Sequence, residues 1–313
     1  MTLQQIEYVL AVARTGSFSR AADECFVTQP TLSVQVQKLE RELGVLLLDR
    51  SRKPIEVTET GALFVAKGKE LKSLVTDLTT VLEGERENLS GKLTLGIIPT
   101  LSQYLLPLFL KPFLEEHPGL HIEVHEMTSE PLLAGLRQHR IDLALLALPA
   151  AGPGLAERPL FTEEFVAYFP PGYWPPEAPP ARLPLSELHR EQMLLLAEGH
   201  CLRHQVLSLC HDPSQPTTNR LEFETGSLES LKAMVDQGLG YTLLPELASM
   251  NLDAERQDQV RFLSEPCPSR RVGFVHRQGF PRLRLMRLLE AAIRAGLPAK
   301  VRRNEEGFVV PWK

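Results

Sequence analysis

The chain has 313 residues, 43% of them hydrophobic and 23% charged, with a formal net charge of −5. This composition is typical of a folded globular protein, and the length predicts two or three domains. No apolar run approaches the roughly 18 residues of a membrane span, and MTLQQIEYVL lacks the basic start and cleavage site of a signal peptide. We therefore expect a cytoplasmic protein without a membrane partner, whose four cysteines form no disulfide framework.

The first sixty residues predict three helices. Apolar residues recur at three- and four-residue steps over 3–14, and Ser17 is a suitable N-cap for a helix over SFSRAADECF. A third helix begins near Thr28 and stops at Gly44. The last two helices predict a helix-turn-helix, whose second helix fits the DNA major groove. Its apolar stripe leaves these polar side chains mostly outside: Gln29, Thr31, Ser33, Gln35 and Lys38.

A basic turn follows the third helix. The net charge does not indicate nucleic acid, but a small DNA-reading module needs only a local basic cluster, which DRSRKP supplies. The segment LLLDRSRKPIEVTETG predicts two short strands around this turn, which together form a wing. Arg50 and Arg52 could hold phosphates there or enter the minor groove. The alternative is a solvated helix surface with an incidental basic loop.

This region resembles the winged helix-turn-helix of LysR-type transcriptional regulators, over SFSRAADECFVTQPTLSVQVQKLERELGVLLLDRSRKPIEVTETG. The pattern A-A-x-x-x-x-x-x-Q-P-[AT]-[LV]-S is a specific signature of that family. The resemblance implies that Arg50 and Arg52 form the wing, and that these residues face the groove: Gln29, Pro30, Thr31, Ser33 and Gln35. It also implies a transcriptional activator that binds double-stranded promoter DNA, contacts RNA polymerase, and forms a homodimer or homotetramer.

A long helix is predicted over residues 60–89. Leu71, Leu74, Leu78 and Val81 alternate three- and four-residue steps, as in a short coiled-coil seam. The seam is too narrow for the core of a domain, so we expect it to pair with another subunit. The alternative is a helix that lies on its own sensor domain.

Beyond Gly91 the pattern alternates between strands and helices. It predicts strands over KLTLGIIP, 121–127, 141–147, EFVAYFP, 192–197, LEFET, YTLLP and RRVGFVHR, with helices over 104–116, 130–139, 200–209, SLESLKAMVDQG and 281–295. This layering implies an α/β fold with a largely parallel sheet. Two such lobes resemble the periplasmic-binding-protein-like effector domain of the same family.

The resulting domain scheme has five parts. We expect the winged helix-turn-helix over 1–59, the linker helix over 60–89, effector lobe I over 91–162 and 267–300, effector lobe II over 163–266, and a tail without an assignable counterpart over 301–313. Ligands of such folds lie between the lobes, near strand ends and helix N-termini. We expect that cleft to receive Thr100, Thr128–Ser129, 199–203 and 225–227.

The segment EGHCLRHQVLSLC carries two cysteines nine positions apart. Its apolar spacing predicts a short helix with Cys201 in the first turn, where the helix N-terminus, His200 and Arg203 would stabilise an accessible thiolate. Nine helical residues span about 13 Å, whereas a disulfide needs Cα atoms within about 7 Å. A bond between Cys201 and Cys210 must therefore unwind this helix.

The motif G-H-C-L-R-x-Q-x-x-x-x-C is similar to that of the hydrogen-peroxide-sensing branch of the LysR family. The resemblance implies that Cys201 is the peroxidatic cysteine and Cys210 the resolving one, with a thiol reductant such as glutaredoxin or thioredoxin as a partner. It implies further pocket residues: Thr100 and Thr128 for peroxide and its water, His200 and Arg203 for pocket shape and thiolate stabilisation, and Arg271, for which Arg270 could be aligned instead. His204 stands where that branch usually has Asp, so the hydrogen-bond network should differ.

Other interpretations remain open at this point. Cys201 and Cys210 could be core thiols of a regulator that binds a metabolite, or the chain could be a thiol peroxidase that turns over peroxide. A metal site could use His200, Cys201, His204, Cys210 and His211, and a second could use His117, His121 and His125. The cysteines lack the close spacing of zinc sites. We expect a regulator rather than an enzyme, with no metal and no cofactor, and we expect Cys25 to pack in a core and Cys267 to be a loop thiol.

Overall fold

The computed structural model describes residues 1–83, 89–174, 182–188, 192–209, 225–302 and 308–312. These form two compact units, Met1–Glu85 and Arg86–Lys313. Within the described ranges, none of the helices combines the length and apolarity that a membrane crossing requires.

The first unit confirms the three predicted helices and the wing. Its elements are α1 (Leu3–Thr15), α2 (Phe18–Glu24), α3 (Gln29–Leu43), β1 (Leu48–Asp49), β2 (Glu56–Val57) and α4 (Glu59–Glu83). The predicted caps explain the boundaries: Ser17 accepts a hydrogen bond from the Arg20 amide, and Gly44 ends α3 in the left-handed conformation at φ 70°. β1 and β2 are antiparallel and frame the basic turn.

The linker helix is confirmed as α4 up to Glu83. Leu71 and Leu74 of the predicted seam are exposed, at 36% and 58% of their surface. The side chains of Leu78 and Val81 lie outside the described residues. Pairing with another subunit remains a prediction.

The second unit is a two-lobed α/β domain. Its first elements are β3 (Gly91–Ile97), α5 (Pro99–Glu116), β4 (Leu120–Glu126), α6 (Ser129–Arg137), β5 (Leu143–Leu148), β6 (Leu155–Tyr168), β7 (Arg182–Leu183), a 3-10 turn (Leu185–Glu187) and α7 (Cys201–Leu209). The rest are α8 (Leu228–Asp236), β8 (Thr242–Pro245), α9 (Glu246–Ser249), α10 (Ala254–Gln257), β9 (Val260–Leu263), β10 (Pro268–Arg277), α11 (Leu283–Gly296), α12 (Ala299–Arg302) and β11 (Phe308–Val309).

The sheet is mixed rather than largely parallel. The strand order is β4-β3-β5-β10-β6-β9-β7, with β8 on β6 and β11 on β10. β3 is parallel to β4 and β5, whereas β10 is antiparallel to β5 and β6, and β6 is antiparallel to β8 and β9. β6 and β10 are the two longest strands, and each takes part in antiparallel pairings with more than one neighbour. One hydrophobic core cluster runs through both lobes.

Three element predictions needed correction. The helix predicted over 104–116 begins at Pro99, because proline is well placed in the first turn of a helix. The strand predicted over EFVAYFP begins earlier, at Leu155. The strand predicted over 192–197 is reduced to a bridge between Met193 and Tyr241. Residues 221–224 of the predicted strand LEFET lie outside the described residues.

The wing is attached to α3 by one buried carboxylate. Glu40 is 5% exposed, and its Oε1 accepts hydrogen bonds from the amides of Leu47 and Leu48, at 2.9 and 3.2 Å. Its Oε2 accepts one from Arg50 at 2.8 Å. Leu47 and Leu48 are themselves buried in the core of the unit. The carboxylate therefore fixes where the wing starts.

We expect Glu40→Ala to loosen the wing, because it leaves two buried amides without an acceptor. The expected cost is about 2 kcal/mol of local stability, or about 30-fold faster amide exchange over residues 44–57 of the full chain. Glu42→Ala is the matched control, since Glu42 lies on the same helix but is exposed and pairs with the amino group of Met1. Equal protection in the two variants would contradict this role of Glu40.

Candidate functional site

Cys201 occupies the first turn of α7, as the sequence predicted. Gly199 precedes it with φ 87°, a conformation that L side chains rarely adopt, and this turn directs the chain into the helix. The thiol is free and only 3% exposed. Burial raises the pKa of Cys201, because the protein interior solvates a thiolate poorly. The prediction of an accessible thiol with a lowered pKa is therefore wrong for this thiol form.

Arg270 is the cation that opposes this effect of burial. Its charge lowers the pKa of Cys201, as do the amides at the start of α7. Arg270 is fully buried, and its Nη1 and Nη2 donate to the hydroxyl and carbonyl oxygens of Thr100 at 2.8 and 3.0 Å. Thr100 can accept both bonds because its hydroxyl and carbonyl oxygens are separate acceptors, and each oxygen has two lone pairs. Thr100 and Cys201 thus share one cation, as expected for a common site.

The expectation for Arg271 needs correction. In β10, Arg270 is buried and Arg271 is exposed, because successive residues of a strand point to opposite faces. Arg271 lies opposite Leu148 of β5 and Thr162 of β6, and its side chain faces away from the pocket. Arg270, the alternative alignment, is the site residue.

Glu163 balances the charge of Arg270, and sequence reasoning missed it. Its side chain is also fully buried, and its Oε1 accepts a hydrogen bond from the Arg270 Nε at 2.9 Å. Its Oε2 accepts from the amide of Leu247 at 2.9 Å. A buried ion pair requires such additional bonds to offset its desolvation. Glu163 therefore fixes the guanidinium and also weakens its effect on the thiol.

Ser129 is the second missed residue, although its neighbour Thr128 was predicted. The Ser129 hydroxyl faces the sulfur and lowers the pKa of Cys201, but it makes no formed hydrogen bond with any described group. Ser129 is 1% exposed and begins α6. Thr128 is the N-cap of that helix. It lies beside Gly199: a Cβ added to Gly199 would be 4.0 Å from the Thr128 hydroxyl oxygen. The structure thus brings both hydroxyls to the turn before Cys201.

His200 and Arg203 shape the turn at Cys201. His200 is 8% exposed, and burial lowers the pKa of its imidazole while the nearby Glu126 carboxylate raises it. The His200 ring lies against Gly226: a Cβ added to Gly226 would be 3.3 Å from the His200 Nε2. Arg203 donates to the carbonyl of Leu196 at 2.8 Å, so its contact is with the preceding segment. His204, which replaces the expected Asp, is exposed.

The remaining observations concern the other cysteines and the metal hypotheses. Cys210 and His211 lie outside the described residues, and α7 is helical up to Leu209, the residue before Cys210. Over the described ranges, no group of three or more His, Cys, Asp or Glu side chains could hold a metal ion. Cys25 is half-buried at the end of α2. Cys267 lies in the loop between β9 and β10, as predicted, but it is buried there, and its sulfur accepts a hydrogen bond from Arg182 at 3.0 Å.

The candidate DNA-binding residues divide by exposure. On α3, Gln29, Pro30 and Thr31 are exposed, whereas Ser33 and Gln35 are half-buried. Gln35 accepts a hydrogen bond from Gln5 at 3.1 Å, which orients its amide. This places all five at or beside the outer face of α3, as predicted.

The two arginines of the wing differ in their surroundings. Arg50 is paired with Glu40, and its guanidinium lies 4.9 Å from the centre of the Phe18 ring. Arg52 is 62% exposed and makes surface ion pairs with Asp49 and Glu56. Such surface pairs contribute little energy, so Arg52 is available to a phosphate. Arg50 is largely committed to holding the wing.

Comparisons with known proteins agree with this architecture. Residues 3–62 match the family of bacterial regulatory helix-turn-helix proteins of the lysR family, and residues 86–298 match the LysR substrate binding domain. The chain therefore belongs to the LysR family of bacterial regulators.

Individual relatives are similar over nearly their whole length. The DNA-binding transcriptional dual regulator OxyR of Escherichia coli K12 is 37% identical, with 94% of this chain and 95% of that protein covered. A probable hydrogen peroxide-inducible genes activator from Streptomyces viridosporus is 36% identical, with 97% of each covered. A full-length OxyR variant from Pseudomonas aeruginosa has a similar structure, with a TM-score of 0.76, 32% identity, and coverage of 94% of this chain and 98% of that one. A Corynebacterium glutamicum OxyR mutant described as hydrogen-peroxide-bound gives a TM-score of 0.62 at 32% identity, with 94% and 92% covered.

We expect Arg270→Gln to raise the pKa of Cys201 further, because it removes a positive charge that lowers this pKa. A rise of one unit would reduce the thiolate fraction about tenfold near neutral pH. The measurement is the rate of Cys201 alkylation by iodoacetamide, followed by mass spectrometry at a series of pH values. The rate should rise with pH in every variant, and the midpoint of the rise should lie at higher pH in Arg270→Gln.

Two variants control this measurement. Arg271→Gln removes an exposed arginine from the neighbouring position and should leave the pH profile unchanged. Arg270→Gln combined with Glu163→Gln avoids an unpaired buried carboxylate and should still shift the profile upward. Superimposable profiles for Arg270→Gln and Arg271→Gln would refute the role of Arg270.

Proposed function

We propose that the chain is a DNA-binding transcriptional regulator that senses hydrogen peroxide through Cys201. The observation that carries the proposal is one buried thiol at a helix N-terminus, next to Arg270 and the Ser129 hydroxyl, in a chain that begins with a winged helix-turn-helix. The relatives described as OxyR and as peroxide-inducible gene activators support the same function. The chain then acts as a stoichiometric switch and not as a catalyst.

The proposed chemistry has two balanced steps. The Cys201 sulfur attacks one oxygen of hydrogen peroxide and the O–O bond breaks. The thiol proton leaves with the other oxygen as water, which gives a sulfenic acid. The Cys210 thiol then attacks that sulfur, a second water leaves, and a disulfide forms. We assign the binding of peroxide to Arg270, Thr100 and Ser129, because Arg270 and Ser129 act on the Cys201 sulfur, Thr100 is bonded to Arg270, and all three can hydrogen-bond to the oxygens of peroxide.

The closed pocket favours peroxide over a metabolite as the signal. Thr100, Ser129 and Cys201 are each at most 3% exposed, so the site suits a molecule of nearly the size of water. A buried neutral thiol is also protected from larger oxidants. The cleft residues that would receive a metabolite in this fold are the same ones that enclose Cys201.

Disulfide closure would change the shape of the effector domain. Since α7 is helical through Leu209, a bond from Cys201 to Cys210 must unwind this element. The helix therefore provides the two-state element that a regulator needs. We further propose a cytoplasmic homodimer or homotetramer, activation through RNA polymerase, and re-reduction by a thiol reductant such as glutaredoxin or thioredoxin.

One equivalent of hydrogen peroxide should oxidise the reduced chain once, with loss of the Cys201 and Cys210 thiol hydrogens. Peptide mass mapping should find these two cysteines joined. Cys210→Ser should stop at a sulfenic acid that dimedone traps, Cys201→Ser should not react, and Cys25→Ser should behave as the parent chain.

Other outcomes of that mapping identify the alternatives. Consumption of many equivalents of peroxide in the presence of a dithiol would indicate a peroxidase. A peroxide response of promoter binding that persists in Cys201→Ser would remove Cys201 from the mechanism.

The DNA-binding residues should separate into two types. We expect Gln29→Ala to lose about 1–3 kcal/mol of affinity for duplexes that were selected for tight binding to the parent chain, and to lose none for random duplexes. The reason is that a side-chain amide reads base edges. Arg52→Gln should weaken binding to all duplexes and reduce the slope of log affinity against log salt by about one, because it loses a phosphate contact. Binding titrations with selected and random duplexes at several salt concentrations measure both effects. Equal losses on both kinds of duplex for Gln29→Ala would contradict base reading.

A further inference from the structure

The C-terminal tail, residues 308–312, is bonded to the strand that carries Arg270. β11 is parallel to β10, with Phe308 opposite Pro268 and Val309 opposite Ser269. The amide of Val310 donates to the carbonyl of Ser269 at 2.8 Å, one residue before Arg270. The tail is therefore an integral part of the effector domain, although sequence reasoning assigned it no counterpart.

The same tail is bonded to the helix that carries Cys201. Gln205 lies in the middle of α7 and is fully buried, and its Nε2 donates to the carbonyl of Val310 at 2.7 Å. Its Oε1 has no hydrogen-bond partner among the described residues. Beyond Val310 the tail is anchored by Trp312, whose Nε1 donates to the carbonyl of Ala147 in β5 at 2.9 Å. Gln205 thus connects the helix that carries Cys201 to the tail, which is paired with β10.

We infer that Gln205 is a positioning residue, and that through it the tail holds α7 in the helical thiol form and so sets the thiol–disulfide equilibrium. This inference rests on the proposed function. When peroxide oxidises Cys201 and the disulfide to Cys210 closes, α7 unwinds and Gln205 leaves Val310. A contact made in only one of two states shifts the equilibrium toward that state. The tail therefore favours the thiol form. In the reduction step a dithiol is oxidised to its own disulfide, the Cys201–Cys210 bond breaks, and both thiols form again.

The test measures this equilibrium in the full chain, with buffers of reduced and oxidised glutathione. We expect Gln205→Leu, and separately a chain that ends at Gly307, to increase the disulfide-to-thiol ratio about tenfold at a fixed buffer. This corresponds to a reduction potential about 30 mV more negative. Ser208→Ala is the matched control, because Ser208 lies on the same helix and its hydroxyl donates to the carbonyl of Gln205 within that helix, not to the tail. Its ratio should stay within about twofold of the parent chain.

Combining the two changes distinguishes positioning from general destabilisation. Each single change leaves a buried polar group without its partner, whereas the combination removes both partners together. The combined variant should therefore show no larger shift than either single change, which is a coupling that independent sites would lack. Additive shifts would show that Gln205 and the tail act separately and would overturn the inference.

A second measurement does not depend on the truncated chain folding. Amide exchange over residues 308–312 of the parent chain should be faster in the disulfide form than in the thiol form, because the tail loses its bond to α7. Equal exchange in the two forms, or an unchanged ratio for Gln205→Leu, would overturn the role of the tail and leave the proposed function intact. A parent chain that forms no Cys201–Cys210 disulfide would overturn both.

Discussion

The buried ion pair of Arg270 and Glu163 is the interaction on which the pocket depends. Two opposite charges with no exposed surface are costly to desolvate, and they persist only when further hydrogen bonds satisfy both partners. Thr100 supplies two acceptors for Arg270, and the Leu247 amide supplies a donor for Glu163. The result is a cation that is fixed in position but largely neutralised. Cys201 therefore lies beside a positive charge and still remains a thiol, because burial outweighs what is left of that charge.

This network also explains how a change at one sulfur could reach the whole effector domain. Glu163 lies on β6 and Arg270 on β10, the two strands that cross between the lobes, while Thr100 begins α5 and Leu247 lies in α9. One guanidinium thus connects elements from different parts of the sheet. Cys201 is held against this network by α7, which is constrained at two points. The turn before the helix needs the left-handed conformation of Gly199, and Gln205 in the middle of the helix is bonded to the tail. Unwinding α7 removes support from a closely packed centre, which cannot deform gradually.

The sequence predicted the parts that are determined locally. Caps such as Ser17 and Gly44, and apolar stripes of period 3.6, mark the helices of the first unit because each signal lies within a few residues. The position of Cys201 at a helix start was readable for the same reason. Properties that depend on contacts between distant residues could not be predicted from the sequence. Whether Arg270 or Arg271 faces the pocket depends on the phase of β10 against β6, where the register shifts between Val272 and Gly273. Burial of Cys201, the partnership of Glu163 and the docking of the tail all require residues more than thirty positions apart in sequence.

A thiol with a raised pKa changes how peroxide sensing must work in this pocket. Each unit of pKa above the working pH costs about 1.4 kcal/mol to form the thiolate. That cost can be offset only by interactions that strengthen as the O–O bond breaks, when negative charge develops on the departing oxygen. Under the proposed function, Arg270, Thr100 and Ser129 donate to that oxygen, and their burial increases the effect of each donor. The same burial slows every oxidant that cannot enter and engage these donors. Under the proposed function, selectivity for a small peroxide therefore follows from the same desolvation that raises the pKa of the thiol.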